Sequence, residues 1–307
     1  MKSRRDRRAV LGAALAAAVV AAGTAAGMAY ALASPDSALR PVSSAATSSA
    51  PAAEGTVQPV VTQPPIDYDA LLADAMAGVP LGDQARVSVA VLDVASGDSA
   101  VYGDGSTFDT ASIVKVDILA TLLLQAQDAG RQLTASEKSY ATAMIEQSDN
   151  ASASALWTAI GEAPGLDAAN ERFGLTGTQG GDAGSWGLTQ TTAADQLVLL
   201  QQVFEDGSLL SADSQAYVQG LMGQIVAGQQ WGVSAAADAD AWALKNGWLP
   251  RTATGLWDIN SVGRVSAGGR EFLVAVLSDG NVSQAEGISV AEGAAQAAVS
   301  VFDGTAG

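Results

Sequence analysis

The chain of 307 residues contains no histidine and no cysteine. Without histidine a Ser-His-Asp triad and histidine-based zinc sites are excluded, so an activated serine must take its base from a lysine or a carboxylate. Lysine is itself scarce, with only Lys2, Lys115, Lys138 and Lys245 present. Without cysteine there is no lipidated cysteine anchor, and the redox compartment stays open. Basic charge is also sparse. Fifteen Lys and Arg face 32 Asp and Glu, a formal charge of −17, and Lys2, Arg4, Arg5, Arg7 and Arg8 leave ten basic residues for the remainder. Phosphate neutralisation needs clustered Lys and Arg, so the composition argues against nucleic-acid binding. An acidic surface that keeps an exported protein soluble is the simpler reading. No metal and no cofactor is expected.

What is present begins with an export pattern. Arg4, Arg5, Arg7 and Arg8 precede an uncharged, Ala-rich stretch over 9–33 that ends in Ala31-Leu32-Ala33. Residues 1–33 therefore read as an export signal of the general or twin-arginine type, cleaved near Ala33, or as an uncleaved anchor long enough to span a bilayer. In either case the basic residues stay inside and the bulk of the chain is placed outside. Residues 34–66, rich in Ser, Ala, Pro and Thr, suit a solvated spacer. Residues 67–307 then form one domain, with 48% hydrophobic residues across the chain to supply its core. Contact with a membrane is expected only through the N-terminal segment, and the domain is expected to be a monomer.

Periodicity predicts a helix over 67–77, a strand over 86–94 with Val87, Val89 and Val91 on one face, and a hairpin turn at Ser96-Gly97-Asp98. Residues 112–129 are apolar nearly all round, which predicts a buried central helix stopped at Gly130. Thr134 and Glu137 form a capping-box pattern opening a helix to Glu146, and another is predicted over 151–160. Helices over 167–173, 192–204 and 212–226 precede strands over 241–248, 255–265 and 271–277, and a last helix spans 291–302. Strands at both ends with helices between predict an α+β fold: an antiparallel sheet built from both chain ends, flanked by helices, beside an all-helical lobe.

Three strings carry the chemistry: Ser112-Ile113-Val114-Lys115, Ser148-Asp149-Asn150 and Lys245-Asn246-Gly247. Ser112 and Lys115 are three positions apart, so on a helix they share a face and the amine can approach the hydroxyl. At a helix start, Ser112 also lies where backbone N–H groups favour developing negative charge. A buried lysine near other cations has its neutral form favoured, as a general base requires. Each string taken alone also fits a plainer role: a lysine paired or reaching water, a helix-capping loop, an edge-strand charge.

Taken together and in this order, the strings resemble those of the penicillin-recognising serine hydrolases, the class A β-lactamases and penicillin-binding proteins. The resemblance runs over about 67–302 and includes Phe108-Asp109-Thr110-Ala111 before the nucleophile. It implies that Ser112 is acylated, that Lys115 is the base, that Ser148 carries a proton to the leaving nitrogen and that Asn150 holds the substrate amide. Lys245 would draw a substrate carboxylate, with Asn246 and Gly247 beside it. The N–H of Ser112 and one from the strand after Gly247, assigned to Leu249, would form the oxyanion hole. The substrate implied is a β-lactam or a peptidoglycan-derived amide. This sequence departs from the class A pattern in three places. The Ser112–Ser148 interval is shorter, Asn246 replaces the usual threonine, and the Glu-x-x-Leu-Asn string that supplies the deacylating glutamate is missing. Asp182 is the one carboxylate of the corresponding stretch 174–191, and is the candidate for activating water. Fast acylation with slow deacylation is the expected behaviour; a catalytically silent wall-binding protein or a D,D-carboxypeptidase-like enzyme is the alternative.

Overall fold

The structure of the protein is a computed structural model that describes residues 66–182 and 184–303. The expected segments 1–33 and 34–66 fall outside those residues, apart from Ile66. Helix starts follow the side-chain chemistry of the sequence. α1 (Tyr68–Met76) is capped by Asp67, whose carboxylate accepts from the Ala70 N–H. After β1 (Arg86–Asp93), β2 (Ser99–Tyr102) and the short β3 (Phe108–Asp109) comes α2 (Val114–Asp128). α3 (Ala135–Glu146) opens on the expected Thr134–Glu137 capping box, and α4 (Asn150–Ile160) on Asp149, which accepts from the Ser152 N–H. Such caps stabilise a helix by about 1 kcal/mol each.

α5 (Glu162–Phe173) starts five residues before its expected position, because Gly161 in the left-handed conformation ends α4 and lets the next helix begin at once. β4 (Gln190–Thr191), α6 (Ala193–Phe204) and α7 (Ala212–Met222) follow, then β5 (Trp242–Pro250), β6 (Trp257–Ala267), β7 (Arg270–Asn281) and α8 (Gln284–Ser300). α8 begins seven residues before the expected start at 291. Ser283 accepts from the Glu286 N–H there, a cap that the Gly-containing first turns had hidden.

The main sheet has the order β2-β1-β7-β6-β5 with every pair antiparallel, so the chain ends meet in one sheet as expected. Its two faces have different duties. Ile259 points to α8, where an added Cβ on Gly287 would meet it, and its neighbour Asn260 points the other way, onto Asp109 and Thr110. One face thus packs on α8, and the other carries the turn that leads into α2. α2 is buried along nearly its whole length, including Lys115, Asp117 and Thr121, and packs against α3, α4, α5 and α7. A helix buried on all sides must satisfy its polar groups with named partners. The partners of Lys115 make the candidate site. β3 pairs with β4 in a two-stranded ribbon too short for sequence periodicity to reveal, and it ties the segment before α2 to the loop that ends at Thr191.

Candidate active site

Ser112 stands in a 3-10 turn, Ala111–Ile113, directly before α2. The turn is fixed from three sides. From β6, Asn260 donates its amide to the Asp109 carbonyl at 2.9 Å and the Thr110 carbonyl at 3.0 Å, while its oxygen accepts from the Ser278 N–H at 3.1 Å. From the loop, the Thr189 carbonyl accepts from the Thr110 N–H at 2.9 Å. From β5, Gly247 lies so close that a Cβ added there would come 2.7 Å from the Ser112 nitrogen and 2.8 Å from the Thr110 oxygen. Glycine is therefore required at 247 for strand and turn to meet. Asn260 was not singled out from sequence. The signal available was a lone asparagine between Ile259 and Ser261 in an otherwise β-forming run.

One turn on from Ser112, Lys115 is wholly buried. Its amine donates to the Ser148 carbonyl at 2.7 Å, the Ser148 hydroxyl at 3.0 Å and the Asn150 side-chain oxygen at 2.8 Å. Burial lowers its pKa from the usual 10.5 to about 7, and only the nearby Asp149 charge opposes the fall. Lys115 therefore has a neutral form accessible near neutral pH. Ser148 holds a left-handed backbone, φ 57°, at a non-glycine position. Such strain costs on the order of 1–3 kcal/mol and is kept only where the surroundings enforce it. Here the strain aims its hydroxyl at two amines, for Lys245 Nζ lies 3.1 Å from the same oxygen. Lys245 is also wholly buried, donates to the Asn246 carbonyl at 2.8 Å, and has its pKa pushed well down by burial and by the charge of Lys115.

The third string is arranged differently from expectation at two positions. Asn246 is buried and spends both amide hydrogens on the Gln229 and Trp231 carbonyls, at 2.7 and 2.9 Å. Its hydrogen-bond donors thus hold the segment 229–231, whereas the resemblance placed Asn246 beside Lys245 for substrate. Leu249 is the second. The Ser266 N–H donates to the Ala241 carbonyl before β5 and the Arg251 N–H to the Leu256 carbonyl after it. The register between these points is unbroken, Trp242 opposite Val265 through Pro250 opposite Trp257. Odd-numbered residues of β5 therefore turn their N–H and C=O groups toward β6, Leu249 among them. The N–H groups of Asn246 and Trp248 point to the open edge. β5 is the last strand of the sheet, so that edge is free to receive a ligand.

Asp182 is exposed, and its carbonyl accepts from the Ser185 N–H. The group that loop 174–191 brings to Lys115 is the Trp186 ring, whose centroid is 4.9 Å from the amine. Among the described residues no group of three or more His, Cys, Asp or Glu is placed to hold a metal ion. A serine one helical turn before a buried lysine, a strained hydroxyl between two lysine amines and an open strand edge has the chemistry that nucleophilic acyl transfer without histidine would need.

Comparison with known proteins gives this arrangement a family. A family model described as "Beta-lactamase enzyme family" matches residues 124–302, more than half of the chain. The chain belongs to the β-lactamase enzyme family. The match begins beyond Ser112 and Lys115, so for the first string the family likeness rests on the fold. Among solved structures, PBP-A superposes with a TM-score of 0.67 at 18% identity, over 79% of this chain and 99% of that one. The TLA-1 extended spectrum β-lactamase gives 0.67 at 14% identity, over 76% and 98%. A representative class A β-lactamase from Bacteroides cellulosilyticus gives 0.65 at 16% identity, over 78% and 99%. These likenesses establish the β-lactamase-like fold. Curated relatives in Mycobacterium tuberculosis and Mycobacterium bovis, each named "Putative lipoprotein LppW", are 26% identical over 171 residues, 54% of this chain. The match spans about half the length of those relatives, likewise 54%.

Proposed function

We propose that this member of the β-lactamase family is an exported serine hydrolase that forms an acyl-enzyme on Ser112 with a β-lactam or a peptidoglycan-type amide and releases it slowly. The observation that carries this reading is the Ser148 hydroxyl held between two buried lysine amines, at 3.0 Å from Lys115, which follows Ser112 by one helical turn, and 3.1 Å from Lys245. Neutral Lys115 takes the Ser112 proton, directly or through Ser148, as the oxygen attacks the substrate carbonyl carbon. The oxyanion that forms is received by the N–H of Ser112 and, given the direction of the β5 amides, that of Trp248 in place of Leu249. Ser148 then passes a proton to the leaving nitrogen. Lys245 supports it and draws a substrate carboxylate, and Asn150, at the rim, holds the substrate amide. A variant of PBP-A was solved as its acyl-enzyme complex with penicillin G, which supports penicillin as a probe of this fold.

Export rests on the arginine cluster and the apolar stretch, and the lipoprotein name of the mycobacterial relatives agrees with an envelope location. Among the described residues no helix is long and apolar enough to cross a membrane, and residues 9–33 lie outside them. Intact-mass spectrometry after incubation with benzylpenicillin and a cephalosporin tests the proposal. One acyl group should be gained, and Ser112→Ala should gain none. Equal labelling of Ser112→Ala overturns the assignment of the nucleophile. No adduct with any β-lactam favours the wall-binding alternative.

A further inference from the structure

The stretch that supplies a deacylating carboxylate in class A enzymes is here a tightly tied loop with an aromatic residue at its inner face. The carboxylates that anchor it, from α5 and α6, are committed to its backbone and to the Thr178 hydroxyl. Asp195 accepts from the Gly177 N–H at 2.8 Å and the Thr178 hydroxyl at 2.6 Å, and Asp167 accepts from the Gly180 N–H at 2.7 Å. Gly181 passes so near Ser185 that an added Cβ would fall 2.2 Å from the Ser185 carbonyl oxygen. A loop tied in this way presents Trp186 in one place. The indole N–H donates to the Ser154 hydroxyl on α4 at 3.2 Å, and the ring lies over Lys115 Nζ at 4.9 Å. The next residue, Gly187, rests on Ala111, the neighbour of the nucleophile, with an added Cβ at 3.9 Å. The ring is thus set between α4 and the Ser112 turn, on the side of the lysine that faces the loop.

We infer that Trp186 sets the lifetime of the acyl-enzyme by covering Lys115 and keeping a hydrolytic water from standing between that amine and the acyl carbon on Ser112. The inference rests on the acyl-enzyme reading above and names the residue behind slow release. Hydrolysis requires a water whose oxygen attacks the ester carbonyl carbon while its proton passes to a base. The bond from that carbon to Ser112 Oγ then breaks, Oγ takes up the proton, and the carboxylic acid leaves. Lys115 is the base one helical turn from Ser112, and on the side it covers the aromatic face offers a water no polar partner. The ring face also attracts the ammonium form by roughly 0.5–2 kcal/mol, which opposes its use as a base for the second step. Trp186 touches the lysine and is a positioning residue.

The test uses the full chain, with Trp186→Ala to remove the ring and Trp186→Phe to keep a ring without the indole N–H. Each protein is pulsed with benzylpenicillin, freed of excess ligand and followed by intact mass. Trp186→Ala should shorten the acyl-enzyme half-life by at least about tenfold, short of the hundredfold or more that a well-placed base brings. Trp186→Phe should stay within about twofold of the wild type. An unchanged half-life in folded Trp186→Ala, or equal shortening in both variants, overturns the inference. A crystal structure of unliganded Trp186→Ala gives a readout that needs no acylation, with an ordered water expected within hydrogen-bond distance of Lys115 Nζ on the vacated face. If the wild type takes no acyl group, the acyl-enzyme reading fails, and a dry vacated face then defeats this inference separately.

Discussion

Two walls face Lys115, and they are built on opposite plans. The wall formed by the Ser112 turn, the Ser148 string and β5 directs polar atoms inward, and from the Ser148 string the lysine amine meets three oxygens, one backbone and two side-chain, within 3.0 Å. The wall formed by loop 174–191 directs its polar atoms into its own supports, Asp167 and Asp195, and turns an indole ring to the same amine. Both are held firmly, so the difference lies in what each presents rather than in order or disorder. On the proposed acyl-enzyme reading, attack and hydrolysis would depend on separate pieces of this fold. A chain can complete one piece and leave the other closed.

The most damaging way to break the first wall is to remove its base. Lys115→Ala should slow acylation by about two orders of magnitude or more, measured by stopped flow with a chromogenic cephalosporin. The wild-type rate should also carry the lysine's signature. In the proposed mechanism the neutral amine is the working form, and burial lowers its pKa to about 7, so acylation should climb as pH rises through about 7 and then level off. A flat profile from pH 5 to 9 would move the proton transfer to another group. The matching substitution on the second wall, Asp182→Asn, should leave the acyl-enzyme half-life unchanged, because Asp182 is exposed and only Asp149 acts as a carboxylate charge on Lys115.

Smaller effects should come from residues that hold the first wall in shape. Gly247→Ala places a methyl 2.7 Å from the Ser112 nitrogen, so strand and turn must separate by several tenths of an ångström. Acylation should fall about tenfold or more, since misplacements of that order are costly in a positioned site. Asn260→Asp keeps the shape but points a carboxylate at the Asp109 and Thr110 carbonyls, where the amide now donates. Leaving buried oxygens without donors costs roughly 1–3 kcal/mol, so urea unfolding should shift by that amount and acylation should slow. Slowed acylation with unchanged stability would mean that the turn is held elsewhere.

How these residues escaped a reading of the sequence follows from the range of the forces involved. The Thr134–Glu137 box and the Asp149 cap act within one helical turn and are legible in the sequence. The three strings were legible together because their order carries a known chemistry, and the antiparallel sheet from both ends followed from where the β-forming runs fall. Asn260 meets Asp109 across 151 residues, and Trp186 meets Lys115 across a loop whose path is fixed by Asp167 and Asp195. No local pattern encodes such contacts. The resemblance points to an amide after Gly247 without fixing which one, because the direction of an amide depends on its parity with β6, which only the register supplies. Asn246 was read as a side chain facing a ligand, and the nearby 229–231 segment, invisible as an element in the sequence, claims its donors instead.

The mildest prediction concerns the support beneath the second wall. Asp117 lies two residues beyond Lys115 on α2, wholly within the helical lobe. The Asn170 amide donates to it at 3.0 Å, the Thr121 hydroxyl beside it also favours its charged form, and the charges of Asp167 and Asp195 disfavour that form. Burial is the main cause that raises its pKa from 3.8 to about 7. Between those two pH values the folded chain binds a proton that the unfolded chain has released, so stability falls as pH rises through the window and the cost is complete above about 7. Asp117→Asn removes the ionisable group and keeps the shape. It should raise stability at pH 8 by on the order of 1–3 kcal/mol, leave stability at pH 4 nearly unchanged, and leave the acylation rate as it was. Urea unfolding of both proteins at the two pH values is the measurement. Equal pH dependence would show that the carboxylate is ionised and matched within the fold. A change in acylation would show that the two walls are coupled through α2, against the separation argued above.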